Sequence, residues 1–280
     1  MELEHKKTAQ LLRVLEKWMP DCFLVYKVVH NYWKMKCPHI AVYVDNQDIN
    51  QITSIICDVT RENIYGYKHK YYIYSVNVTN MQKLLHQHGV IKSIQDGEIQ
   101  VEFSISLYDI IKNFFECNQH CTSESEFYCQ YTLNNSDKFE KMIKKKLPYG
   151  MRLAPLDKKH AIYIHDEWQY GTPPPIKTFE NLINGNCLAT LAVFNEEDQP
   201  ISRAVVGQIG DIGMTYTASK YRRKGLASIV TANLAKKLLK DGILPLVYIS
   251  DKNQISIDMH TSLGFQKTQM RTLVCFKKVE

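Results

Sequence analysis

Seven consecutive residues, Tyr221-Arg222-Arg223-Lys224-Gly225-Leu226-Ala227, combine the features that hold a multiply charged anion. Three cations stand side by side, and the glycine lets the backbone turn so that N–H groups face inward. The apolar spacing from Leu226 onward predicts a helix to Lys240, and a helix N-terminus offers unpaired N–H groups and a partial positive charge. The chemistry on offer is a cradle for a diphosphate. Both the Walker spacing and the dinucleotide glycine pattern are absent. Taken alone, Arg-x-x-Gly-x-Ala is equally compatible with a basic turn ahead of an ordinary helix.

Other constellations are weaker. Cys117, His120, Cys121 and Cys129 form Cys-x-x-His-Cys-x7-Cys, which lacks the paired Cys-x-x-Cys knuckles of a zinc site, and no metal is expected. His165-Asp166-Glu167 has no second histidine at i+4. A cysteine nucleophile needs a polar strand end beside a base, whereas Cys187 and Cys275 read as core.

The elements that must position the cradle follow from periodicity. Residues Lys7–Met19 carry Leu11, Leu12, Leu15 and Trp18 at helical spacing and stop at Pro20. Phe23–His30, Ile40–Val44, Ile52–Val59, Lys70–Val76 and Ile99–Ile105 read as strands, while Val78–His88 and Leu107–Cys117 read as helices. Asn134–Lys146 is polar, and Lys138–Lys146 reads as a solvated helix face; Pro148–Gly150 then punctuates the chain. The expected division is 1–145 and 146–280. Beyond it the order is strand Arg152–Ala154, helices Asp157–Tyr170 and Ile176–Asn184, and strands Cys187–Phe194, Ile201–Gln208 and Ile212–Thr217. Helix Leu226–Lys240, strand Leu244–Ile249, helix Gln254–Leu263 and strands Phe265–Lys267 and Thr272–Phe276 complete it, giving βααβββαβαββ.

In that setting the cradle resembles the acetyl-coenzyme A signature of the GCN5-related N-acetyltransferase superfamily, Arg/Gln-x-x-Gly-x-Gly/Ala. Ser250-Asp251-Lys252-Asn253 at the end of a strand and Ser262-Leu263-Gly264-Phe265 at the end of a helix match two further features in the right order. Asp166-Glu167-Trp168-Gln169-Tyr170-Gly171, and Gly210-Asp211-Ile212-Gly213-Met214-Thr215-Tyr216-Thr217 running into the cradle, resemble the glycine N-acyltransferases more narrowly. Val42-Tyr43-Val44-Asp45 resembles that family's N-terminal domain loosely.

The resemblance implies an α+β chain with a GCN5-related N-acyltransferase fold in its C-terminal half and a smaller α+β N-terminal domain. It implies acyl-CoA as co-substrate and direct attack by the amine of a small amino acid, typically glycine, on the thioester. Arg222, Arg223, Lys224, Gly225, Leu226, Ala227 and Asn253 would hold the coenzyme. Backbone N–H groups of Thr215, Tyr216 and Thr217 would hold the pantetheine and the oxyanion. Asp211 stands where the family has a glutamate that takes the amine's proton; read bare, it is also a plain strand-edge residue. His260 stands where many members have a thiol-protonating tyrosine, and as a half-buried structural histidine it would need no such role. The cation for an acceptor carboxylate is open among Arg203, Arg271 and the lysines.

Composition bounds the alternatives. The chain has 280 residues, 45% of them hydrophobic, and a net charge of +6 that is concentrated partly at Arg222–Lys224 rather than spread along a nucleic-acid face. Cys187–Phe194, among the longest apolar stretches, is far too short to span a bilayer. Met1–Gln10 has no apolar signal region, so the eight cysteines are expected to be reduced in an intracellular protein, cytoplasmic or mitochondrial and not secreted. The expected partners are small molecules, acyl-CoA and an amino acid, with no nucleic acid. A peptide or protein amine as acceptor, and a non-catalytic coenzyme-binding module, are the two alternatives.

Overall fold

The computed structural model describes the chain except for residues 20, 36–39, 61–68, 94–97, 120, 134–136, 169–172, 185–188, 208–209 and 279–280. His120, Gln169–Gly171 and Cys187 therefore lie outside the described residues. The chain divides into two units of equal length, residues 1–128 with 269–280, and residues 129–268.

The first unit starts with helix α1 (Thr8–Glu16), which buries Leu11, Leu12 and Leu15, the face its spacing predicts. Helix α2 (Phe23–Met35) occupies the segment expected to be a strand up to His30. A short β-branched and aromatic run looks the same in a buried helix and a buried strand. Phe23, Leu24, Val25, Val28 and Val29 are all buried, so helical packing overrides local propensity.

Strands β1 (Ile40–Val44), β2 (Ser54–Val59) and β3 (His69–Ser75) then pair antiparallel in sequence. Helix α3 (Val78–Leu85) carries the chain over to β4 (Ile99–Ser104), which pairs parallel to β3 from His69↔Ile99 to Ile73↔Phe103. Helix α4 (Tyr108–Gln119) leads into β5 (Cys121–Leu133). Tyr71, Ile73, Val101, Phe103, Phe115 and Phe276 share one core.

The second unit holds helix α5 (Asp137–Ile143), strand β6 (Arg152–Ala154), and helices α6 (Ala161–Asp166) and α7 (Ile176–Asn184). Strands β7 (Thr190–Phe194), β8 (Pro200–Val206) and β9 (Ile212–Thr217) join β6 in one antiparallel sheet. Helix α8 (Leu226–Lys240), strand β10 (Leu246–Ser250), helix α9 (Gln254–Ser262) and strand β11 (Phe265–Lys278) follow. A separate core gathers Val193, Ala204, Val230, Leu234, Val247 and Phe265.

From α6 onward the second unit runs through the succession of the first, ααβββαβαβ, with α5 and β6 ahead of it. In each, the last strand is long and changes unit: β5 begins in the first and ends in the second, and β11 does the reverse. This moves the division from the expected 145/146 to 128/129 and adds 269–280 to the first unit. Cys129, Tyr131 and Leu133 at the end of β5, with Phe139 of α5, already pack in the second core. Arg271–Phe276 of β11 pairs with Ser104–Ile99 of β4. The two short closing strands expected at Phe265–Lys267 and Thr272–Phe276 are one strand of 14 residues. Among the described residues no helix is long and apolar enough to cross a membrane.

Candidate functional site

The feature that opens the second unit lies between β9 and β10. The two strands meet in a single parallel bridge, Asp211↔Leu246, and neither ladders onto the other beyond it. Just past that point β9 carries an extra residue. Its register against β8 steps from Val205↔Gly213 to Arg203↔Tyr216, with Met214 held at φ +50°. A bulge of this kind lifts a strand's N–H groups out of the ladder and re-aims them. Thr215, Tyr216 and Thr217 follow directly, and the Thr217 hydroxyl is pinned to Ser202 Oγ at 2.8 Å.

At the far end of β9 the chain turns through the cradle. Arg223 (φ +59°) and Gly225 (φ +76°) both take the left-handed conformation, and Gly225 is the N-cap of α8 with no side chain capping it. A left-handed residue between helical or extended neighbours points successive N–H groups to one side. Leu226 is buried in the core, so it offers the cradle its backbone only, with Ala227 following on the same turn.

The three cations do not act alike. Lys224 Nζ sits 5.4 Å from the centre of the Tyr221 ring, with Lys220 Nζ at 5.2 Å. Arg222 reaches back instead: its Nε donates to the Thr217 carbonyl at 3.0 Å and its Cζ stands 5.9 Å from the Tyr216 ring. It ties the turn to the strand end. A fourth cation, missed in the sequence, arrives from the segment after α5. Lys145 Nζ lies 3.2 Å from where a Cβ on Gly225 would stand. In the sequence it is one of several lysines on a face read as solvated, and only folding singles it out.

Asp211 stands at the vertex where β9 and β10 part. The Gly207 N–H donates to its carbonyl at 2.6 Å. Its carboxylate lies against the Gly207 Cα so closely that a Cβ there would fall 2.1 Å from Oδ1. Residue 207 must therefore be glycine for the carboxylate to keep this place.

Two expected site residues are engaged in the fold. Asn253 is the N-cap of α9, its Oδ1 accepting the Ser256 N–H at 3.1 Å. His260 is only 3% exposed, Nδ1 donates to the Ser256 carbonyl at 2.8 Å, and its ring meets Phe265 edge-on. Burial holds its pKa below the usual histidine value.

A recess opens beside the bulge, lined by Ile164, Glu167, Trp168, Arg203, Met214, Thr215 and Tyr216. The Asp157–His160 capping box starts the turn that leads into α6, and Glu167 is that helix's C-cap. The helix is shorter than the Asp157–Tyr170 expected. Arg203, on β8 opposite Tyr216, is 3% exposed and donates from Nη1 to Glu167 Oε2. One signal in the sequence marks it, a lone charge inside the apolar strand Ile201-Ser202-Arg203-Ala204-Val205-Val206. Arg271, the other arginine considered, belongs to the first unit and donates from Nη2 to the Asp21 carbonyl at 3.1 Å.

Comparison with known proteins gives the family and the fold. The model of the family described as aralkyl acyl-CoA:amino acid N-acyltransferase matches residues 1–179, and that of FR47-like proteins matches residues 197–274. Bovine glycine N-acyltransferase is 24% identical over 73% of this chain and 73% of its own length. Human glycine N-acyltransferase-like protein 2 is 23% identical over 93% and 92%. A Drosophila protein of solved structure superposes with a TM-score of 0.81 at 13% identity, covering 98% of this chain and 97% of its own. A tandem GCN5-related protein from the clavulanic acid biosynthesis pathway does so with a TM-score of 0.55 at 10% identity over 98% and 97%. The fold is the GCN5-related one.

Proposed function

The chain belongs to the aralkyl acyl-CoA:amino acid N-acyltransferase family, and from that premise we propose that it moves an acyl group from acyl-CoA to the amine of a small amino acid, glycine first among them. The observation that carries the reading is the opening between β9 and β10, bulged at Met214 and running onto the uncapped end of α8. A pantetheine arm can lie along β9 as a missing strand would, with its diphosphate on Arg223, Lys224, Lys145 and the N–H groups from Gly225 to Ala227.

The chemistry is aminolysis of a thioester. Asp211 takes a proton from the acceptor's ammonium through water, because its side chain is one methylene shorter than a glutamate. The freed nitrogen attacks the thioester carbonyl carbon, and the oxyanion that forms is met by N–H groups of the bulged strand, Thr215 to Thr217. Such donors are worth ~3 kcal/mol each in acyl transfer. The C–S bond then breaks, the amide keeps the acyl group, and the sulfur leaves with the second amine proton or one from water. His260 takes no part in this reading, since it is buried and its Nδ1–H is already given to the Ser256 carbonyl. Arg222 and Asn253 shape the turn and helix around the coenzyme rather than gripping it.

The test is thiol release from a panel of acyl-CoAs with and without amino acids. Amine-dependent release with formation of the N-acyl amino acid is the expected result. Tight acyl-CoA binding without amine-dependent release would make the protein a non-catalytic binding module.

A further inference from the structure

The recess beside the bulge holds an ion pair that the acyl-transfer chemistry above leaves unused. Arg203 and Glu167 come from β8 and the end of α6, and a guanidinium enters an interior only when it is paired. Pairing is incomplete here. Nη1 donates to Glu167 Oε2 and the flat face lies 4.6 Å from the centre of the Tyr216 ring, yet Nε is buried with no hydrogen-bond partner. A guanidinium has five donors in a fixed fork, suited to a two-pronged grip on a carboxylate. If packing alone were served, apolar side chains of similar volume would do as well or better.

The partner is placed differently. Glu167 has a quarter of its side chain exposed, next to Trp168 on the rim. The pair is neutral as a whole, so it draws neither anions nor cations to the recess. It offers one positive and one negative edge side by side. The recess is open to solvent, and Ile164, Met214, Trp168, Thr215 and Tyr216 make up the rest of its lining.

We propose that Arg203 and Glu167 form a clamp for a zwitterion, the acceptor's carboxylate seated on the guanidinium and its ammonium held against the Glu167 carboxylate. The clamp selects free α-amino acids over amines that lack a carboxylate and over amino-acid amides, which stand for peptide amines. It rests on the acyl-transfer reading for what happens to the seated amine, but the seating itself can be measured apart from turnover. Met214 links the two, since it both lines the recess and makes the bulge in β9.

The experiment compares glycine, alanine and glutamine with their C-terminal amides, in two readouts. The first is thiol release from acyl-CoA; the second is binding of the free amino acid or its amide to the CoA-loaded protein by ligand-observed NMR. The wild type is expected to favour the free acid over the amide by ~100-fold in kcat/KM. Arg203→Gln should raise KM for the free acid ~100-fold, narrow the preference for acid over amide, and leave the acyl-CoA dissociation constant unchanged. Glu167→Gln should raise that KM ~10-fold. The double variant Arg203→Leu/Glu167→Leu removes the pair without stranding a charge; folded by thermal unfolding, it should lose the discrimination. Acid and amide used equally well by the wild type would overturn the clamp, as would a double variant that still discriminates. If no amine supports thiol release, the acyl-transfer reading fails. The clamp then stands if NMR shows the free acid binding in preference to its amide, and falls if it does not.

Discussion

The two units repeat one succession of elements and differ where a coenzyme would enter. In the first, β3 and β4 are zipped in parallel over five residue pairs, leaving no gap between them. In the second, the corresponding β9 and β10 share one bridge at Asp211 and Leu246. The turns that follow differ in the same sense. In the first unit Asn77 caps α3 with its own side chain, accepting the Asn80 N–H at 3.1 Å, and no charged residue stands between Ser75 and Asn80. In the second, left-handed Gly225 leaves the end of α8 uncapped, with Arg223, Lys224 and Lys145 around it. A helix end can satisfy its N–H groups from within or keep them for a ligand. One chain has a helix end of each kind, capped at Asn77 and without a side-chain cap at Gly225, and the turn is what differs.

The largest test of this difference is Gly225→Asp, which forces a side chain into a left-handed backbone and puts a carboxylate where the diphosphate would lie. Acyl-CoA affinity by calorimetry should fall at least ~100-fold; an unchanged affinity would remove the cradle. The wild type should bind one acyl-CoA per chain, and a second equivalent site would break the contrast between the units. Asp211→Asn comes next. It should lower kcat by about 10²–10⁴-fold with acyl-CoA binding near normal, and its pH–rate profile should change shape. In the first unit the matching intervention acts on stability alone: Asn77→Ala should cost ~1 kcal/mol in denaturant unfolding and leave acyl-CoA affinity untouched. Lys145→Ala should weaken acyl-CoA binding about two- to fivefold at low salt and less at high salt, as an exposed cation does.

A pH effect separates core from site. His260 has its pKa lowered by burial, and so does His160, whose Nδ1 accepts the Asp157 N–H at 2.8 Å. The unfolded chain therefore binds protons near pH ~6.5 that the folded chain refuses, and stability falls as pH drops below that value. His260→Leu should shallow this loss in thermal unfolding between pH 7 and pH 5 without altering the pH–rate profile. A changed rate profile would return His260 to the proton path.

How far the fold could be read from residues varied with how local its causes are. The second half was readable because alternation, hairpin turns and the glycine at the cradle are signals within a few residues of each other. Phe23–His30 reads as a strand because an unbroken apolar run carries no period, and β5 gives no strand signal because polar and charged residues crowd its first half. The basic turn is legible as a motif, yet its side chains part only in three dimensions, Arg222 turning back to Thr217 and Lys145 arriving from another element. The pairing of Arg203 with Glu167 joins residues 36 positions apart, and the lone charge in β8 marks Arg203 without marking its partner. The repeat itself was invisible, because it lives in the order of elements and not in matching residues.

The exchange of closing strands has a consequence in time. The sheet of the first unit is completed by Arg271–Phe276 of β11, and everything from 129 to 268 is synthesised before they appear. While the chain is being made, β4 waits with an unpaired edge that its own neighbourhood cannot fill. The first unit to be translated is thus the later one to be finished, and a fragment ending at residue 145 would keep that edge open.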